Sequence, residues 1–154
     1  MIQRIQTLYL MVATLVMVVA LIFPIATLNA DGNELVIKAF GFSAEGATLP
    51  HLPLYMGILL AIATALPFVI IFLYKRRMVQ FRLCGVELAL LVGALIFEAV
   101  YCYIAFDALN AVGAVELSLG FAAFMPLVAI PFVALAMKGI LRDELLVRSL
   151  DRIR

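Results

Sequence analysis

The stretch LCGVELALLVGALIFEAVYCYIAFDAL, residues Leu83–Leu109, decides the fold. Wound as a helix it would be roughly 40 Å long, more than the ~30 Å hydrocarbon thickness of a bilayer. It holds no basic residue, and only Glu87, Glu98 and Asp107 interrupt its uncharged surface. A soluble helix needs one polar face. This one has none.

The pattern repeats on both sides. Towards the N-terminus lie a basic turn at 75–82, holding Lys75, Arg76, Arg77 and Arg82, and then an apolar run at 52–74. Towards the C-terminus a short link around Asn110–Glu116, with Gly113, permits only an antiparallel return. It leads to a fourth apolar run at 119–141, which carries Pro126 and Pro131. The first run spans 5–28. At that length it reads as an anchor, because a cleaved signal core is about 7–15 residues.

Composition agrees. Of 154 residues, 67% are hydrophobic and 14% charged, against about half and about a quarter in soluble domains. The excess needs lipid as its solvent. The expected architecture is an all-α membrane protein, an antiparallel four-helix transmembrane bundle forming one domain. A polar outer loop at 29–51 separates the first two spans. Within it, Glu34–Phe42 is rich in β-formers and could form a strand or hairpin.

Orientation follows from the basic residues, which are retained on the cytoplasmic side. Arg4, the 75–82 turn and the segment from Lys138 onward hold every lysine and arginine except Lys38. Four crossings put all of these on one face, so both termini should be cytoplasmic. The tail, 142–154, reads as an amphipathic helix, with Leu146, Leu150 and Ile153 on one side and charges on the other. Arg4, Lys75, Arg76, Arg77, Arg82, Arg142, Arg148 and Arg152 are the candidate contacts to lipid headgroups or a protein partner.

The chemistry on offer is sparse. Net charge is +1, which gives no reason to expect nucleic acid. Cys84 and Cys102 fall about 27 Å apart on one helix and cannot bridge; they read as small buried apolar side chains. His51 stands alone at an outer interface and reads as an anchor. No nucleophile–base pair, phosphate loop or metal cluster is visible, so no catalytic, cofactor or metal residue is expected.

Two acids remain. Glu87, one turn into the third span, is expected to reach back to the interface or to pair with Arg82 or with an arginine elsewhere on that face. Glu98 lies deeper, with no basic partner at its depth, and is expected to be neutral and to donate a hydrogen bond. Pro24 and Pro126 fall near its level, and a helix-interior proline frees the carbonyl four residues earlier, here Ala20 or Ala122. Glu98 is then a clamp between spans. Alternatively it handles a proton or cation, with Tyr101 as its polar neighbour.

Both ends of the chain carry a further signal. Met1-Ile-Gln-Arg-Ile-Gln-Thr-Leu-Tyr-Leu10, Arg142-Asp-Glu-Leu-Leu-Val-Arg-Ser-Leu-Asp-Arg-Ile-Arg154 and the Arg82-Leu-Cys84 step resemble a family of small four-span inner-membrane proteins of Bacteroidetes-type bacteria, domain of unknown function 4293. The resemblance implies an address, the bacterial inner membrane, and a topology. It implies no activity. The functional expectation is a non-enzymatic accessory or scaffolding subunit, with a membrane-protein partner or further copies of itself. The alternative is a small proton- or cation-coupled transporter using Glu98.

Overall fold

The computed structural model describes residues 2–30, 33–44, 54–74, 76–110 and 115–151. Four long helices, α1 (Ile2–Ile22), α2 (Leu54–Phe72), α3 (Arg77–Asn110) and α4 (Met125–Asp151), account for most of them. Each is long and apolar enough to cross a membrane. They pack as a ring in which α1 touches α2 and α4, and α3 touches the same two.

The ring is built on a seven-residue repeat. Gln6, Leu10, Ala13, Met17 and Ala20 are the buried positions of α1, spaced four and three apart. Gln80, Cys84, Glu87, Leu91, Ala94 and Glu98 continue the same spacing on α3. On α4 it is carried by Ala129, Val133, Ala136, Ile140 and Asp143. A strict heptad seam keeps each helix facing its neighbours along its length. Many seam residues are alanine, so the backbones can approach closely.

The apolar surplus faces outward. Leu15 and Ile22 on α1, Phe68 and Phe72 on α2, Ile96 on α3 and Leu135 on α4 are all exposed. In no span is more than 39% of the apolar window buried. An interior of small residues under a coat of large ones inverts the arrangement of a water-soluble helical domain.

At one end the helices are covered by a sheet. Its strands are β1 (Ala26–Ala30), β2 (Asn33–Lys38), β3 (Gly41–Ala44) and β4 (Val115–Leu119), in the order β3-β2-β1-β4, all antiparallel. The expected hairpin is present as β2 and β3, joined at the two-residue Ala39–Phe40 turn. Strand alternation is clear: Ala26, Leu28, Leu35 and Ile37 are buried, while Asn29, Glu34 and Lys38 are exposed.

Several expected boundaries move. The first helix stops at Ile22, because Pro24 cannot continue it and Ala26–Ala30 is drawn into the sheet. The link after α3 is more than a return, since it contributes β4. The fourth helix begins at Met125, after a single 3-10 turn at Phe121–Phe124. The basic turn contracts, as α3 starts at Arg77 and includes Arg82. At the other extreme α4 runs unbroken to Asp151, so the tail is helical for most of its length. His51, Lys75 and Arg152 lie outside the described residues.

Two glycines make the sheet–helix junction possible. A Cβ on Gly57 would collide with the Phe40 ring and the Ala39 carbonyl, so α2 passes hard against the β2–β3 turn. A Cβ on Gly120 would overlap the Pro24 carbonyl, while the Gly120 N–H donates to the Ile25 carbonyl at 2.8 Å.

Candidate functional site

The polar side chains of the seam form three sets. The first ties together the end of the ring opposite the sheet. Gln6 Nε2 donates to Asp143 Oδ2 at 2.7 Å, joining α1 to α4. Gly139 gives the Gln6 side chain its room, as a Cβ there would press on Gln6 Cγ. An Arg77 guanidinium N–H donates to the Asp143 carbonyl at 3.5 Å, and Gln80 Nε2 donates to the Ile70 carbonyl at 2.8 Å, near the end of α2. All four helices are therefore linked there by side-chain hydrogen bonds. Sequence reasoning missed Gln6, Gln80 and Asp143; their signal was the heptad spacing, which puts all three on the seam.

Around this end Arg76, Arg82, Lys138 and Arg142 are exposed, and Arg77 is half-buried. Arg4 and Arg148 fall within α1 and α4. The basic candidates thus gather at one end of the ring, and Leu145, Leu146 and Val147 are exposed beside them on α4.

The second set is Glu87. It is 0% exposed, and neither carboxyl oxygen has a hydrogen-bond partner. The expected pairing with Arg82 does not occur. Five residues along a helix turn through about 500°, so the two side chains diverge by about 140°, and Arg82 is exposed while Glu87 faces the interior. Counting from the Gln6–Asp143 and Gln80–Ile70 contacts, Glu87 is level with Thr64 of α2 and Val133 of α4, midway along the ring. The Thr64 hydroxyl donates to the Leu60 carbonyl at 2.7 Å, within its own helix.

The third set is Glu98, 4% exposed, whose Oε1 is buried without a partner. It lines a crevice of about 230 Å³ between α3, the 3-10 turn and the Pro24–β1 and β4 segments, together with Ile25, Leu95, Leu119, Phe124 and Leu127. A second hollow of about 240 Å³, lined by Tyr103, Phe106 and Leu117, shares Ala99 and Cys102 with the first. The two adjoin at Ala99 and Cys102, an apolar slot along the turns of α3 nearest the sheet, beside the leucines of β4.

The level expected for Glu98 is right, since Ile25, Phe124 and Leu127 surround it. The expected partners are not. Pro24 lies beyond α1 and Pro126 sits in the first turn of α4, where a missing N–H leaves no gap. The Ala122 carbonyl accepts the Met125 N–H instead. Tyr101 also turns away: its ring lies against Phe97 at 6.4 Å between centroids, and Cys102 takes its place in the crevice.

Cys84 and Cys102 are buried free thiols. Among the described residues no three His, Cys, Asp or Glu side chains are grouped to hold a metal ion.

A ring of four long apolar helices, covered at one end by a small antiparallel sheet and seamed with buried acids, defines the class as a sheet-capped apolar helical protein. The family follows from comparison: residues 2–153 match the domain of unknown function (DUF4293), and the chain belongs to that family. No curated protein matches it.

Proposed function

We propose that the chain is a four-span inner-membrane protein that acts as a non-enzymatic accessory subunit, a transmembrane bundle whose basic end docks a partner on the cytoplasmic side. The observation that carries this reading is the continuity of α4. It leaves the apolar region as one unbroken helix, fastened to α1 by the Gln6–Asp143 bond, and presents Leu145, Leu146 and Val147 next to exposed Arg142. A rigid helix with apolar and basic groups side by side suits a protein surface or the headgroup layer. The clustering of basic residues at that end supports a cytoplasmic placement.

The test is crosslinking and purification from native membranes, comparing the full chain with one ended after Glu144, which keeps Asp143. A stoichiometric partner lost with the tail is the expected result. A protein that purifies alone in both forms would end this reading.

A second reading is favoured by one observation, the buried and unpartnered Glu98. Intramembrane acids of this kind mark proton and ion pathways, so a small proton- or cation-coupled transporter is the alternative. Reconstituted vesicles discriminate: Glu98→Gln should abolish coupled flux if it exists, and flux unchanged by the substitution would dispose of it.

A further inference from the structure

We infer that the slot along the outer turns of α3 binds a small lipophilic amine, held by an ion pair with Glu98. This goes beyond the accessory reading and gives the second reading a substrate class, but it rests on the slot itself and not on transport.

The lining sets the chemistry. Apart from Glu98 and the Cys102 thiol, the crevice walls are hydrocarbon and one aromatic ring, Phe124. Glu98 lines the crevice and is 4% exposed, and its Oε1 is buried without a hydrogen-bond partner. A buried polar atom without a partner is costly, and here, unlike at Glu87, a crevice lies beside it in which a ligand could supply the partner. A neutral ligand would need no more than a hydroxyl or amide to receive it. A carboxyl can also give up its proton, and the resulting carboxylate, far more expensive to bury alone, is matched only by a cation.

An inorganic cation fits poorly. Sodium-like and calcium-like ions need several oxygen ligands, and the crevice supplies one carboxyl. An alkylammonium needs one strong acceptor, an apolar wall and, where available, an aromatic face. The slot offers all three. Drug-sized ligands occupy about 300–1,000 Å³, so a crevice of about 230 Å³ suits an amine of fragment size.

The route of entry is also consistent. Leu119, Phe124 and Leu127 are exposed at the mouth of the crevice, on the outer apolar surface. A neutral amine can arrive through lipid. If Glu98 is protonated, its O–H bond breaks as the N–H bond forms, and the ion pair is made in place without net charge crossing the apolar layer.

The test uses the full-length protein in lipid nanodiscs, titrated with 3-phenylpropylamine and, separately, with 3-phenylpropanol. Saturable binding of the amine, and weaker binding of the alcohol, is expected. Glu98→Gln should weaken amine binding roughly tenfold to a hundredfold, Glu98→Asp should retain part of it, and Glu87→Gln should leave it unchanged. Should Glu98→Gln fail to fold, Ala99→Phe fills the slot from an exposed position and should block the amine with Glu98 intact. The inference is overturned if the amine does not saturate the wild-type protein, if the alcohol binds equally well, or if neither substitution affects binding. Because the readout is binding, a transport-inactive protein can still satisfy it, and loss of the tail partner has no bearing on it.

Discussion

Gln6 and Asp143 stand 137 positions apart in the chain and meet in one buried hydrogen bond of 2.7 Å. The bond closes the ring between its first and last helices. In the proposed transmembrane arrangement, lipid would give the helices little hydrophobic reason to associate, so a buried hydrogen bond between chain ends carries unusual weight. Asp143→Ala should lower stability in detergent by about 1–3 kcal/mol, because the Gln6 amide is left buried and unpaired. Gln6→Ala should cost a similar amount, and the double variant should cost less than the two together. Reversible unfolding of the four proteins checks this.

Glu87 points the other way. Both of its oxygens are buried without partners, so removing them should stabilise the fold. Glu87→Met keeps the volume and should raise stability by about 1–3 kcal/mol. A loss on denaturation would show that Glu87 has a partner.

Glycine substitutions should split by location. Gly120→Ala forces a methyl group into the Pro24 carbonyl and should destabilise by about 1–3 kcal/mol. Gly85→Ala meets nothing within 4 Å on α3 and should be neutral or stabilising by about 0.5–1 kcal/mol. Thermal unfolding of both variants is the measurement.

Orientation can be read by thiol labelling, since both native cysteines are buried. Glu34 on β2 and Ser149 on α4 are exposed at opposite ends of the molecule. In intact spheroplasts an impermeant maleimide should label Glu34→Cys, and should reach Ser149→Cys only after lysis. The reverse pattern would invert the topology.

Four long helices were legible in the sequence because an uncharged run of span length admits few other readings. The β2–β3 hairpin was visible in the β-formers of Glu34–Phe42. Strand β1 was hidden by its composition, for Ala26–Ala30 joins the preceding apolar run without a charge to mark the change. Strand β4 was hidden by its shortness and by depending on a distant partner, with Ala26 set against Leu119 at one end and Ala30 against Val115 at the other. The site shows the same division. Counting depth along a helix found the level of Glu98, but which groups face it depended on where α1 and α4 begin and end. At α1 that limit is set by Pro24 and the sheet together, and at α4 by the 3-10 turn that precedes it.

The central place of β1 in the sheet has a consequence for biosynthesis. β2 emerges from the ribosome soon after β1 and can pair with it at once. β4 is made only after α2 and α3 have been synthesised, and it takes the other edge of β1. The sheet therefore lacks its fourth strand until the third helix has been made, and in the proposed four-span arrangement its completion would register that both loops have arrived on the same side. In that arrangement a chain with one helix misinserted would leave β1 with a bare edge, the kind of exposed strand that invites aggregation.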